Sequence, residues 1–222
     1  MNSSSSETVS NVHSGASVQQ TVYPILFSIA FAHLLNDLLQ AVIPASYPIL
    51  KGNFNLTFTQ IGLITLAYQL AASILQPVVG LYTDKRPKPF SQIFGMLFTM
   101  SGIVLLSYAW DFSIIVVSVV LVGIGSSIFH PEASRISFLA SGGKRGLAQS
   151  IFQLGGNAGT AIGPLLVALI VVPNTQYYII WFVVAAMIAL LVLSRIAFWY
   201  QSHLSMRATK KTVVDLPNLS QT

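Results

Sequence analysis

Six apolar runs, each about as long as a bilayer is thick, constrain this chain more than any other feature. They cover roughly 22–50, 58–82, 90–109, 112–140, 147–172 and 177–200 of the 222 residues. Hydrocarbon offers backbone N–H and C=O groups no water, so a single segment crossing it must bond to itself, which the α-helix does. The composition agrees. Only 8% of residues are charged, where a soluble domain carries roughly 25%. The expectation is an all-α integral membrane domain of six transmembrane helices.

Short polar breaks separate the runs: Lys51-Gly52-Asn53, Thr83 to Pro89, Trp110-Asp111, Ser141 to Gly146, and Pro173 to Gln176. The bases sort by side. Lys85, Arg86, Lys88, Lys144, Arg145, Arg207, Lys210 and Lys211 fall on one face of a six-span topology, and Lys51 falls on the other. That asymmetry predicts that both termini of a multi-pass membrane protein are cytoplasmic. The net charge of +5 is therefore a topology signal, not the footprint of nucleic-acid binding. Residues 1–21 are polar, without the basic start and apolar core of a secretory signal, and read as a disordered tail. Residues 22–201 form the transmembrane domain, and 202–222 a polar, basic tail. The absence of cysteine excludes disulfides and thiol chemistry.

Ionisable groups inside apolar runs are costly and usually functional. In the first run His33 and Asp37 are four apart and share a helix face, with Asn36 and Gln40 beside them. Asp37 lies ~21 Å from Tyr23, near mid-membrane. It suits a proton carrier or a polar lining; a structural hydrogen-bond cluster is the alternative. The fourth run carries His130-Pro131-Glu132 and Arg135. Glu132 and Arg135, three apart, can pair along a helix, and Arg135 could equally snorkel to the interface. Pro131 removes a backbone donor. A hydrolase would need a nucleophile poised by a base, and no spacing of Ser126, Ser127 or Ser134 against His130 specifies one, so no enzyme is expected. No metal-type spacing is present, and no metal is expected.

In the fifth run Gln149, Gln153 and Asn157 recur every four residues as a polar stripe. Gly155, Gly159 and Gly163 recur likewise, with Gly156 and Pro164 adjacent, as a close-packing face between membrane helices. The loop after the second run holds Gly80, Asp84, Lys85 and Lys88 in a Gly-x-x-x-Asp-Lys-x-x-Lys pattern.

That loop resembles the signature between the second and third helices of the major facilitator superfamily, with Pro87 where the family has a glycine. Gly155 to Pro164 resembles the family's glycine-proline helix. More narrowly, four stretches together are similar to bacterial fosmidomycin-resistance efflux proteins. They are His33-Leu34-Leu35-Asn36-Asp37, Gln76-Pro77-Val78-Val79-Gly80, Phe129-His130-Pro131-Glu132, and Gln149 to Asn157. The resemblance implies one half of such a fold, a 3+3 inverted repeat in which the first and fourth spans correspond. It implies drug export by alternating access, with the proton as coupling ion and no cofactor. Asp37 and Glu132 would be protonated; His33, Asn36, His130, Arg135, Gln149, Gln153 and Asn157 would line the path. Asp84 and its bases would lock the contact between halves. The implied partners are the lipid bilayer, a small polar substrate, and either a C-terminal six-helix half or a second copy of the chain. A truncated, non-transporting piece is the alternative.

Overall fold

The computed structural model describes residues 20–214, with side chains up to residue 206. The tail expected to be disordered lies outside the described residues up to position 19, as does the basic tail from 215 onward. Seven α-helices follow one another: α1 (Tyr23–Ala45), α2 (Tyr47–Phe54), α3 (Phe58–Lys85), α4 (Ser91–Ser107), α5 (Phe112–Ala140), α6 (Arg145–Ile170) and α7 (Phe182–Val214). A 3₁₀ turn, Gln176–Trp181, leads into α7. Among the described residues, five spans are long and apolar enough to cross a membrane, α1 and α2 counting as one. The sixth, α4, has 17 residues, or ~26 Å of helix, at the short end of the spanning range.

Local chemistry sets the boundaries. The first apolar run was expected to be continuous, but it breaks at Ser46. Pro48 has no N–H to donate to the Pro44 carbonyl, and its ring crowds that carbonyl, so the helix restarts as α2. Asn55, in the left-handed conformation at φ 50°, ends α2. Thr57 and Gln60 form a capping box at the start of α3. Asp111 caps α5 by accepting from the Ile114 N–H at 2.8 Å.

The tight turn expected at 173–176 is longer, because Gln176 is put to structural use. Its Nε2 donates to the Leu106 and Ala109 carbonyls at 2.9 and 3.1 Å, and its Oε1 accepts from Asn53 Nδ2 at 3.3 Å. The end of α4, the end of α2 and the start of the sixth span are thus tied together. Helix α7 runs past position 201 to Val214. Trp199 is half-buried, but Tyr200 is only 1% exposed and belongs to the core.

The main contacts run between two three-helix units, α1–α3–α4 and α5–α6–α7, rather than within them. Helix α5 packs most heavily on α4, and the first helix of each unit packs on the second long helix of the other, α1 on α6 and α5 on α3. Glycine permits both contacts. A Cβ at Gly155 would collide with the Ala30 carbonyl, one at Gly159 with the Leu34 carbonyl, and one at Gly163 with Ala41 Cβ and the Leu38 carbonyl. On the opposite seam a Cβ at Gly123 would meet Ala71 Cβ and the Tyr68 carbonyl, both at 2.8 Å. The start of α1 is fastened to the α5–α6 turn: Val22 N donates to the Ala140 carbonyl and Thr21 Oγ to the Ser141 carbonyl, both at 2.9 Å.

Side-chain-free contact is hard to replace, since membrane helices gain little from the hydrophobic effect between them. Gly159→Ala is expected to lower the unfolding midpoint of the purified chain in detergent, by an overpacking cost of about 1–3 kcal/mol. Gly62→Ala, where a Cβ meets nothing within 4 Å, should be neutral or slightly stabilising in the same measurement.

Candidate functional site

Helix α1 presents His33, Asn36, Asp37 and Gln40 on one side, and the α1–α6 approach closes over them. Gly156 makes room: a Cβ there would stand 2.5 Å from His33 Cε1 and 2.7 Å from Asp37 Oδ2. Asp37 lies between two imidazoles. His33 Nε2 is 3.2 Å from its Oδ2, and His130 Nε2, from α5, is 3.3 Å from its Oδ1. Oδ1 also accepts from Asn36 Nδ2 and Gln40 Nε2, each at 3.1 Å. Gln40 is oriented by two hydroxyls that donate to its Oε1: Tyr68 of α3, and Ser126 of α5 at 3.0 Å.

Both rings are held from behind. His33 Nδ1 lies 2.9 Å from the Phe152 carbonyl, and the ring stacks on the Phe152 ring at a centroid distance of 3.9 Å. His130 Nδ1 lies 3.0 Å from the Ser126 carbonyl and 3.2 Å from Ser126 Oγ. Three atoms of metal-ligand type, from His33, Asp37 and His130, therefore fall within 4.8 Å of one another. This grouping is invisible in spacing, because α1 and α5 lie far apart in the chain. Both Nδ1 atoms thus face backbone carbonyls, and both Nε2 atoms stand at ion-pair distance from Asp37.

Asp37, Gln40 and Tyr68 face a cavity of about 320 Å³, lined also by Ala41, Pro44, Tyr47, Thr65, Gln69, Thr160 and Pro164. Tyr47 and Thr65 bond across it at 2.8 Å. Volumes of this order hold small ligands. Tyr47, Tyr68, Thr65 and Thr160 were missed at the sequence level, since a Tyr or Thr in an apolar helix carries no signal of its own. Gln149, Gln153 and Asn157 are exposed. Asn157, Thr160 and Pro164 follow at three- and four-residue steps, so the α6 stripe runs on into the cavity wall. Pro164 is exposed on this wall, whereas Gly155, Gly159 and Gly163 are buried against α1.

Glu132 and Arg135 do not join this cluster. They form a second one with the end of α3. Arg135 donates to the Thr83 carbonyl at 2.6 Å, to Glu132 Oε1 at 3.0 Å, and to Asp84. Asp84 is exposed, while the Glu132 side chain is 1% exposed. The bond along α5 between Glu132 and Arg135 is the one their spacing allowed; the bond to Asp84 crosses from another helix. Gly80 faces Pro131, where a Cβ would make ordinary contact at 3.6 Å. Lys85 and Lys88 are exposed, and Lys88 edges an apolar cleft of about 330 Å³ with Phe90 and Phe94.

A family model described as the Major Facilitator Superfamily matches residues 29–217. The chain belongs to this superfamily. It is 51% identical over 198 residues to the fosmidomycin resistance protein of Escherichia coli (strain K12), a match covering 88% of this chain and 49% of that protein. It is also 51% identical over 190 residues to an uncharacterized MFS-type transporter, YfnC, of Bacillus subtilis (strain 168), covering 86% of the chain and 46% of the relative. The chain spans about half the length of these relatives. Among solved structures, a crystal structure of a peptide transporter POT mutant superposes with a TM-score of 0.63 at 17% identity, over 87% of this chain and 44% of that one. The six-helix half expected from the resemblance is thus the observed fold.

Family and relatives mark a major facilitator transporter rather than an enzyme. At Ser126 the hydroxyl hydrogen goes to Gln40 and His130 Nδ1 faces a carbonyl, so His130 does not poise this serine as a base.

The second cluster yields a stability test. Removing one partner of a buried pair leaves the other charge uncompensated, at about 3–5 kcal/mol. Arg135→Ala is expected to lower the unfolding midpoint in detergent by that order. Arg135→Met combined with Glu132→Gln should recover most of the loss.

Proposed function

We propose that this chain is the N-terminal six-helix half of a proton-coupled exporter of small polar drugs, fosmidomycin-like in chemistry, working by alternating access in the bacterial inner membrane. The observation that carries this reading is the Asp37 cluster at the edge of the 320 Å³ cavity: a carboxylate between two histidines, next to space for a small ligand. The identity to a fosmidomycin resistance protein supports the drug class. On this reading His33, Asn36, Asp37 and His130 form the proton site, and Gln149, Gln153 and Asn157 extend the path along α6. Glu132, Arg135, Asp84, Gly80, Lys85 and Lys88 form the element that holds α3 against α5 in one conformational state.

The open apolar face supports a partner. Phe58, Ile74, Val78 and Leu81 of α3, and Leu154 and Leu165 of α6, are all more than half exposed. The partner is a C-terminal six-helix half or, as a second arrangement, another copy of this chain, with lipid covering the remainder.

The test is growth of a fosmidomycin-sensitive bacterium expressing this chain alone or with the C-terminal half of the E. coli relative. Resistance is expected with both halves, and Asp37→Asn should abolish it at unchanged membrane abundance. Resistance from the single chain would favour the self-paired arrangement. Failure with either partner, at normal abundance, would sink the transport reading and leave a non-transporting piece.

A further inference from the structure

We propose that the exchangeable proton of the Asp37 cluster resides on His130 Nε2, and that Asp37 stays ionised as a fixed counter-charge. This rests on the reading of the cluster as the proton site and identifies the atom that carries the proton.

The argument follows from which groups can donate. A carbonyl oxygen only accepts, so the contacts to the Phe152 and Ser126 carbonyls place a hydrogen on Nδ1 of both histidines. Each ring then turns Nε2 toward Asp37. Nε2 makes a hydrogen bond there only if a proton lies on it or on the facing carboxyl oxygen. Asp37 Oδ1 is a poor place for that proton, because two amide donors already point at it. The Gln40 amide cannot turn round to accept, since Tyr68 and Ser126 both donate to its carbonyl oxygen. That arrangement favours a carboxylate.

The two histidines differ in access. His33 is 3% exposed and sandwiched against Phe152 and Phe129. Its Nε2 faces Asp37 Oδ2 at 3.2 Å, away from bulk water. The His130 side chain is 25% exposed. The titratable groups joined to it are Asp37 and His33 from α1, by direct contact, and Tyr68 from α3, through Gln40 and Ser126. Glu132 and Arg135 follow on its own helix, already paired with each other. The parts of α6 that reach the cluster, Phe152 and Gly156, carry no titratable group.

The exchange step is simple. Protonated His130 gives its Nε2 proton to water and becomes a neutral ring that keeps Nδ1–H. Asp37 remains a carboxylate, and the triad loses one positive charge. The Nε2 lone pair then faces the Oδ1 lone pairs, so the hydrogen bond between α1 and α5 becomes a repulsion. These two helices correspond in the inverted repeat. Proton release would therefore weaken the contact between the repeats at the level of the cavity, and an anionic drug would compete with Asp37 for the positive ring.

The test uses the 222-residue chain in lipid nanodiscs, between pH 5 and 9. With ¹⁵N-labelled histidine, assigned through His33→Gln and His130→Gln, the His130 Nε2 resonance should move from the protonated to the bare-nitrogen position, while Nδ1 stays protonated. Infrared difference spectra over the same range should contain no protonated-carboxyl band that disappears in Asp37→Asn. Asp-selective ¹³C labelling of the wild-type chain gives the same readout if that variant does not fold. A protonated Asp37 carboxyl at pH 5, or a His130 that exchanges its Nδ1 proton instead, would overturn the proposal. Neither readout needs transport, so a negative resistance assay bears on the export reading alone.

Discussion

The close approach of α1 and α6 is the contact on which the rest of the structure depends. Four glycines of α6 stand where any side chain would strike α1: Gly155, Gly156, Gly159 and Gly163. Three of them bring backbone against backbone or against a methyl group. Gly156 instead clears the volume that His33 and Asp37 occupy. One seam therefore sets the helix spacing and creates the room for a buried acid. The same seam places the Phe152 carbonyl 2.9 Å from His33 Nδ1, so α6 fixes the tautomer of a residue on α1.

From that contact the two polar centres acquire different characters. The Asp37 cluster is built of groups that can gain or lose a proton, and Asp37 itself borders a cavity. The Arg135 cluster is built around a cation bonded to a carbonyl and two carboxylates, one buried and one exposed. The first can change charge without changing composition. The second holds α3 to α5 by fixed charges. Their separation, with His130 and Glu132 directed to different partners on a single helix, lets one helix serve both.

Much of this was legible in the residues. The fourth run and α5 have the same bounds, because Asp111 and the Gly142-Gly143 turn mark them by capping and by positive φ at both glycines. The His33–Asp37 pairing followed from four-residue spacing, and the glycine seam from its period. What stayed hidden depended on contacts between distant segments. His130 joins Asp37 only because α5 packs beside α1. Gln40 becomes an orienting group only because Tyr68 and Ser126 reach it from two other helices. The break at Ser46 was within reach, since Pro44 and Pro48 stand four apart, but a purely apolar count runs straight over it. Gln176 looked like an ordinary turn residue because its carbonyl partners on α4 have no sequence signature.

The fastening by Gln176 has a mechanical meaning. Its bonds run between neutral groups and backbone carbonyls, and they join the ends of α2 and α4 to the segment before α7. At the other end of α3, the Arg135 clasp includes an exposed carboxylate, whose attraction dissolved ions weaken. Ionic strength can therefore slacken the α3–α5 clasp while leaving the Gln176 fastening, and the neutral bonds of Thr21 and Val22 to the α5–α6 turn, untouched.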